Sequence, residues 1–133
     1  MRMLSKVALT MGSGATLGAA IALAISAPAA GSAAAARPRP VGFVQCAACH
    51  SVEPGRNGVG PSLAGVAGRK AASLPGFNYS NALKGSGLTW DEASLDRWLT
   101  SPQRTVPGTK MPFVGIPDPT KRKEVIDYLM TLK

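Results

Sequence analysis

The chain has 133 residues, the size of one small domain, with 15 Lys and Arg against seven Asp and Glu and a formal charge of +8. That length excludes a multidomain enzyme. Thirteen of the alanines fall in the first 36 positions, whereas all seven aromatics (Phe43, Phe77, Tyr79, Trp90, Trp98, Phe113 and Tyr128) lie beyond them, so a core can form only there. Seven aromatics make a thin core for a domain that buries roughly 60–65% of its unfolded surface, and a bound cofactor would supplement it.

Residues 1–36 open with Arg2 and Lys6, run apolar or small from Val7 to Ala27 and turn Ala/Pro/Gly-rich through Ala36. This is the layout of an export signal peptide. Small residues at Ala27 and Ala29, at Ser32 and Ala34, or at Ala34 and Ala36 each satisfy an A-x-A-type cleavage rule. The Val7 to Ala27 stretch is also long enough, at about 1.5 Å per residue, to cross a hydrocarbon core of about 30 Å, which keeps an N-terminal membrane anchor as the alternative. Gly12, Ser13 and Gly14 weaken such a helix and favour cleavage. The first reading places the domain in the periplasm; the second holds it on the periplasmic face of the inner membrane, with residues 7–27 making the membrane contact.

Arg37-Pro38-Arg39-Pro40 reads as a spacer over 37–40, because alternating prolines prevent a continuous helix. The folded domain is then 41–133. Pro40 suits the first position of a short helix that runs through Val41, Phe43 and Val44 to His50. From Glu53 to Gly76 the many glycines and prolines predict loop without strand. Thr89-Trp90-Asp91-Glu92 fits a capping box that opens a helix carrying Leu95, Trp98 and Leu99 and closed by Pro102. Asp118-Pro119 supplies an N-cap and a first helical residue for a last helix with Val125, Ile126, Leu129 and Leu132 on one face. The expectation is an all-α domain of three or more helices joined by long loops.

The two cysteines and the one histidine of the whole chain fall together as Cys46-Ala47-Ala48-Cys49-His50. C-x-x-C-H is a c-type haem attachment pattern. On a helical path positions i, i+3 and i+4 share a face, so both thiols can form thioethers with the vinyl groups of one haem while His50 reaches its iron. A dithiol oxidoreductase would want a βαβ pattern, which is missing. A zinc site would want four ligands, and two Cys with one His supply three.

With His50 used, no second histidine is available for the opposite side of the iron, so the sixth ligand is methionine, another weak donor or nothing, and methionine is the best candidate. Met1, Met3 and Met11 lie in the leader, and Met130 falls among core-spaced residues of the last helix. Met111 lies in the loop Pro107-Gly108-Thr109-Lys110-Met111-Pro112-Phe113, where prolines fix φ and Gly108 frees it, so a side chain can be aimed inward.

From Val41 to Lys133 the chain resembles the class I cytochromes c, in the branch shared by mitochondrial cytochrome c and its alphaproteobacterial relatives. The resemblance rests on the C-x-x-C-H pentapeptide, Gly60-Pro61-Ser62-Leu63, Gly68-Arg69-Lys70, Gly76-Phe77-Asn78-Tyr79, Gly87-Leu88-Thr89-Trp90, Pro107-Gly108-Thr109-Lys110-Met111 and Tyr128-Leu129. It implies a small class I fold around one haem c bound through Cys46 and Cys49, with His50 and Met111 on the iron. It also implies that the Pro61 carbonyl orients His50, that Arg69, Tyr79, Trp90 and Thr109 donate to the haem propionates, and that Phe113 covers the methionine side. Trp98 departs from the family, standing where mitochondrial members carry a tyrosine. Pro117-Asp118-Pro119 departs too, replacing a lysine run. The short segment before Cys46 should pack weakly on the last helix.

Such a protein is expected to be a monomeric one-electron carrier from a quinol-oxidising cytochrome complex to a terminal oxidase or another acceptor, and not an enzyme. Its basic charge suits redox partners with acidic docking surfaces, with Lys70, Lys84, Arg104 and Lys110 nominated for contact. Nucleic acid is not expected, since there is no arginine-rich helix and no basic-aromatic alternation. Three rival readings stand beside this one: a membrane-anchored cytochrome or subunit of a larger redox complex, an open-site haem enzyme, and an extracytoplasmic thiol oxidoreductase.

Overall fold

The computed structural model describes residues 37–132, and the reading of 1–36 as a signal peptide or anchor lies outside them. Five α-helices occur among the described residues: α1 (Val44–Ala47), α2 (Asn81–Lys84), α3 (Glu92–Thr100), α4 (Pro102–Thr105) and α5 (Pro119–Leu129). No strand is formed there, only an isolated antiparallel bridge between Lys70 and Thr89. None of these helices is long and apolar enough to cross a membrane.

A 3₁₀ turn at Val41–Phe43 leads into α1. Pro40 is the cap of that turn and not its first residue: its backbone is extended, and its carbonyl accepts the Phe43 N–H at 3.0 Å. Helix α1 stops at Ala47, short of the expected His50, yet the N–H groups of Cys49 and His50 both donate to the Cys46 carbonyl, at 3.1 and 2.9 Å. One tight turn therefore carries the whole pentapeptide.

Helix α3 begins where the sequence predicts, but its cap is Asp91 and not Thr89. The Asp91 carboxylate accepts the Ser94 N–H at 2.7 Å. Thr89 belongs instead to the bridge, which is flanked by Trp90 N–H to the Arg69 carbonyl (2.9 Å), Gly68 N–H to the Trp90 carbonyl (2.9 Å) and Ala71 N–H to the Leu88 carbonyl (2.8 Å). Pro102 does close α3, and it also opens α4 from its first turn. Helix α5 follows its expected start, with the Asp118 carboxylate accepting from Thr120 at 2.8 Å and Lys121 at 3.2 Å. It ends at Leu129, which leaves Leu132 half-buried beyond the helix. Helix α2, capped by the Ser80 hydroxyl accepting from Leu83 at 3.1 Å, was not expected, because four residues are too few to display a period.

Helices α3 and α5 pack together and bury Leu95, Trp98 and Leu99 against Val125, Ile126 and Leu129. The first segment is not weakly packed. Phe43 is fully buried, with its ring edge-on to Tyr128 at a centroid distance of 4.8 Å. The close approach is permitted by Gly42, whose missing Cβ would stand 3.1 Å from Val125 Cγ2. One well-seated aromatic thus compensates for a short helix, since burying a ring of this size outweighs a few lost helical hydrogen bonds.

Candidate haem site

All ten residues nominated from the sequence line one cavity of about 310 Å³. Its lining includes an apolar wall of the buried Val66, Leu83, Leu95, Trp98 and Leu99, together with the exposed Lys70 and Lys110.

His50 is half-buried, and its Nδ1 lies 2.7 Å from the Pro61 carbonyl. A carbonyl only accepts, so Nδ1 carries the hydrogen and Nε2 keeps its lone pair. Burial pushes the His50 pKa down, partly opposed by the Pro61 hydrogen bond, so the ring is neutral and able to ligate a metal. The approach depends on Gly60, where any Cβ would collide with the imidazole ring. Cys46 and Cys49 are both half-buried thiols on the same turn. Burial raises the Cys46 pKa above its ordinary value.

Met111 lines the cavity from the α4–α5 loop, far along the chain from His50. The loop returns to the core at Gly115, whose φ of 112° is open to glycine, and whose Cβ would run into the Thr100 carbonyl. There the Ile116 N–H reaches the Leu99 carbonyl at 2.7 Å. Phe113, half-buried, lines the cavity too. The second anchor of this loop, Gln103, carried no signal in the sequence. Its amide donates to the carbonyls of Thr109 and Met111 at 3.1 and 3.3 Å.

The residues nominated for the haem propionates differ in their commitments. Arg69 already donates to the carbonyls of Ala64 (2.8 Å) and Ser62 (3.0 Å), which hold its guanidinium at the cavity wall and leave three of its five N–H groups unused. The Thr109 hydroxyl accepts the Met111 N–H at 3.4 Å and retains its own hydrogen to donate. Tyr79 and Trp90 are 8% exposed, yet the phenol and the indole N–H make no hydrogen bond to protein among the described residues. No polar side-chain atom there is sealed in without a partner, so both groups open onto space, and the space they line is the cavity. Trp98, its ring inclined at 57° to that of Trp90 with centroids 5.3 Å apart, adds a third such donor. A neutral imidazole, a thioether, two thiols, an apolar wall and unspent donors are the set that a covalent haem with two propionates requires.

The sequence pattern of the family described as Cytochrome c matches residues 29–133. The chain belongs to the cytochrome c family. It is 56% identical over 94 residues to cytochrome c2 iso-2 of Magnetospirillum molischianum, covering 71% of this chain and 97% of that one. It is 55% identical over 92 residues to cytochrome c2 of Rhodoblastus acidophilus, covering 68% and 86%. The solved structure of cytochrome cH from Methylobacterium extorquens aligns with a TM-score of 0.64 at 54% identity, over 68% of this chain and 91% of that one. As a member of this cytochrome c family, the protein is an electron carrier with one covalently bound haem c, and not an enzyme. The open-site enzyme and the thiol oxidoreductase are thereby set aside.

The charges on this cytochrome c are unevenly employed. Among the described residues Arg37, Arg56, Arg122 and Lys123 are in ion pairs with carboxylates. Lys70, Lys84, Arg104 and Lys110 are exposed and in none, although only Lys70 and Lys110 line the cavity.

Proposed function

We propose that this cytochrome c is a periplasmic, monomeric shuttle that takes one electron at a time from a quinol-oxidising cytochrome complex and hands it to a terminal oxidase or another acceptor. The observation that carries the reading is the placing of His50, oriented by Pro61, and Met111 on one cavity with Cys46 and Cys49. Haem c supplies a one-electron iron couple when bound there. Cys46 and Cys49 would hold it by thioether bonds, and His50 and Met111 would ligate its iron. With two protein ligands the iron would be closed to oxygen and peroxide, and the apolar lining of Val66, Leu83, Leu95 and Leu99 would favour the less charged, reduced form. Arg69, Tyr79, Trp90 and Thr109 donate to the propionates, which lowers the cost of bringing carboxylates into a poorly solvated site. Phe113 screens the methionine side from water.

Residues 1–36 serve as an export signal, removed before the domain works in the periplasm; their basic start, apolar stretch and small-residue sites support this. Lys70, Lys84, Arg104 and Lys110 meet acidic partners, and their standing in no ion pair among the described residues supports that role. The first experiment is the absorption spectrum, oxidised and reduced, of protein made in a host that attaches haem covalently. A low-spin spectrum with the far-red methionine-to-iron band in the oxidised form is the expected result, and a high-spin spectrum removes Met111 as ligand. Reaction rates with an acidic redox partner then test docking: neutralising Lys110 or Arg104 slows association at low salt and flattens its salt dependence.

A further inference from the structure

We propose that Gln103 is a positioning residue for the axial methionine, a clamp that sets how readily the Met111 loop lets go of the iron. The inference rests on the reading of Met111 as ligand.

Between Thr109 and Gly115 the loop has little to hold it. Its backbone bonds there are local: Phe113 N–H to the Met111 carbonyl at 2.9 Å and Met111 N–H to the Thr109 hydroxyl at 3.4 Å. The loop next joins another element at Ile116, through the Leu99 carbonyl. Within the span that carries Met111, Gln103 is the single group from outside the loop that hydrogen-bonds to it among the described residues. One amide nitrogen lies within hydrogen-bond distance of two carbonyls, that of Thr109 and that of Met111 itself. Carbonyls only accept, so nitrogen and not oxygen must face them, and an acid in this place would repel them.

The clamp has a firm base. Pro102, next to Gln103, is fully buried, and Val106 is 5% exposed. The turn between them is closed by Thr105 N–H to the Ser101 carbonyl at 3.0 Å and Val106 N–H to the Pro102 carbonyl at 2.9 Å. Gln103 itself is exposed, so each bond has water as a competitor and the clamp biases the loop without locking it. That is the right strength for a ligand held by one weak thioether bond. An outside ligand binds the iron only in the fraction of molecules whose loop has opened, so its apparent affinity measures that fraction directly.

The test uses the haem-loaded protein and imidazole as the outside ligand, titrated into the oxidised form and followed by loss of the far-red band. Gln103→Leu should bind imidazole about tenfold more tightly than the unaltered protein, a change of about 1.4 kcal/mol in loop opening. Gln103→Glu, which sets an anionic acceptor against the two carbonyls, should loosen the loop further. Gln103→Arg, which keeps a fork of donors and cannot ligate iron, should return the affinity to within about twofold of the original. A merely structural contact would lower the urea midpoint and leave imidazole affinity unmoved. Equal imidazole affinity for the unaltered protein and Gln103→Leu, both showing the far-red band, overturns the clamp. Absence of that band from the unaltered protein overturns instead the assignment of Met111, so the two failures are told apart.

Discussion

The Nδ1–H of His50 donates to the Pro61 carbonyl across 2.7 Å, and the residue just before that proline decides whether the ring can reach it. At Gly60 a side chain of even one carbon would overlap the imidazole. Gly60→Ala should force the ring away from Pro61, at a cost of about 1–3 kcal/mol for overpacking. The expected result is a lower urea midpoint together with a partly high-spin spectrum. An unaltered spectrum would show that His50 does not depend on this approach.

Gly115 makes a similar demand at the other side of the cavity. Its φ of 112° and its contact with the Thr100 carbonyl both reject a Cβ. Gly115→Ala should destabilise the domain by about 2–3 kcal/mol through strain alone. It should also weaken the far-red band, because the end of the Met111 loop would no longer meet Leu99. The check is urea unfolding read beside the oxidised spectrum.

Arg122 ties α5 to the same loop. Its side chain is 11% exposed and donates to the carbonyls of Ile116 (2.8 Å) and Pro117 (3.2 Å) and to the Asp96 carboxylate (2.7 Å). Asp96 is 52% exposed, so the ion pair itself contributes little, and the two carbonyls dominate. Arg122→Met should therefore cost about 2 kcal/mol, with most of that loss persisting in 1 M salt. Asp96→Asn should cost well under ~1 kcal/mol. Urea midpoints of the two variants at low and high salt separate the contributions.

Asp91 makes the stability of α3 depend on acid. The Ser94 N–H holds its carboxyl below the ordinary 3.8, with the Ser94 side chain adding to the effect. A carboxyl lowered in the folded state favours folding above its unfolded value, and this contribution is lost as pH falls through the native value. The urea midpoint of Asp91→Ala should lie below the parent at pH 7, and the gap should shrink as pH falls below about 3.8. A gap of constant size from pH 7 to pH 2 would show that the charge on the cap is irrelevant.

More of the candidate site than of the frame that holds it can be read from the sequence. Cys46, Cys49 and His50 carry their chemistry in their spacing, and Met111 stood out by elimination and by its loop. The aromatic and hydroxyl donors became visible only through the family resemblance, since nothing local distinguishes Trp90 from a packing indole. What escaped was short-range competition and long-range contact. Two neighbouring groups, Thr89 and Asp91, could each cap α3, and the bridge to Lys70 that occupies Thr89 joins residues with no shared pattern. Helices α2 and α4 span four residues each, below the length at which periodicity exists. Gln103 reads as an ordinary surface residue, because its partners are backbone carbonyls that no side-chain pattern reveals.

The seating of Phe43 on Tyr128 has a topological consequence. With Arg37 also 3.9 Å from Asp127, the opening and closing segments of the domain run side by side. Chains whose ends adjoin tolerate being cut and rejoined elsewhere. A short linker from Leu132 back to Arg37 would let the domain be circularly permuted, with new ends in the exposed turn at Gly55–Arg56.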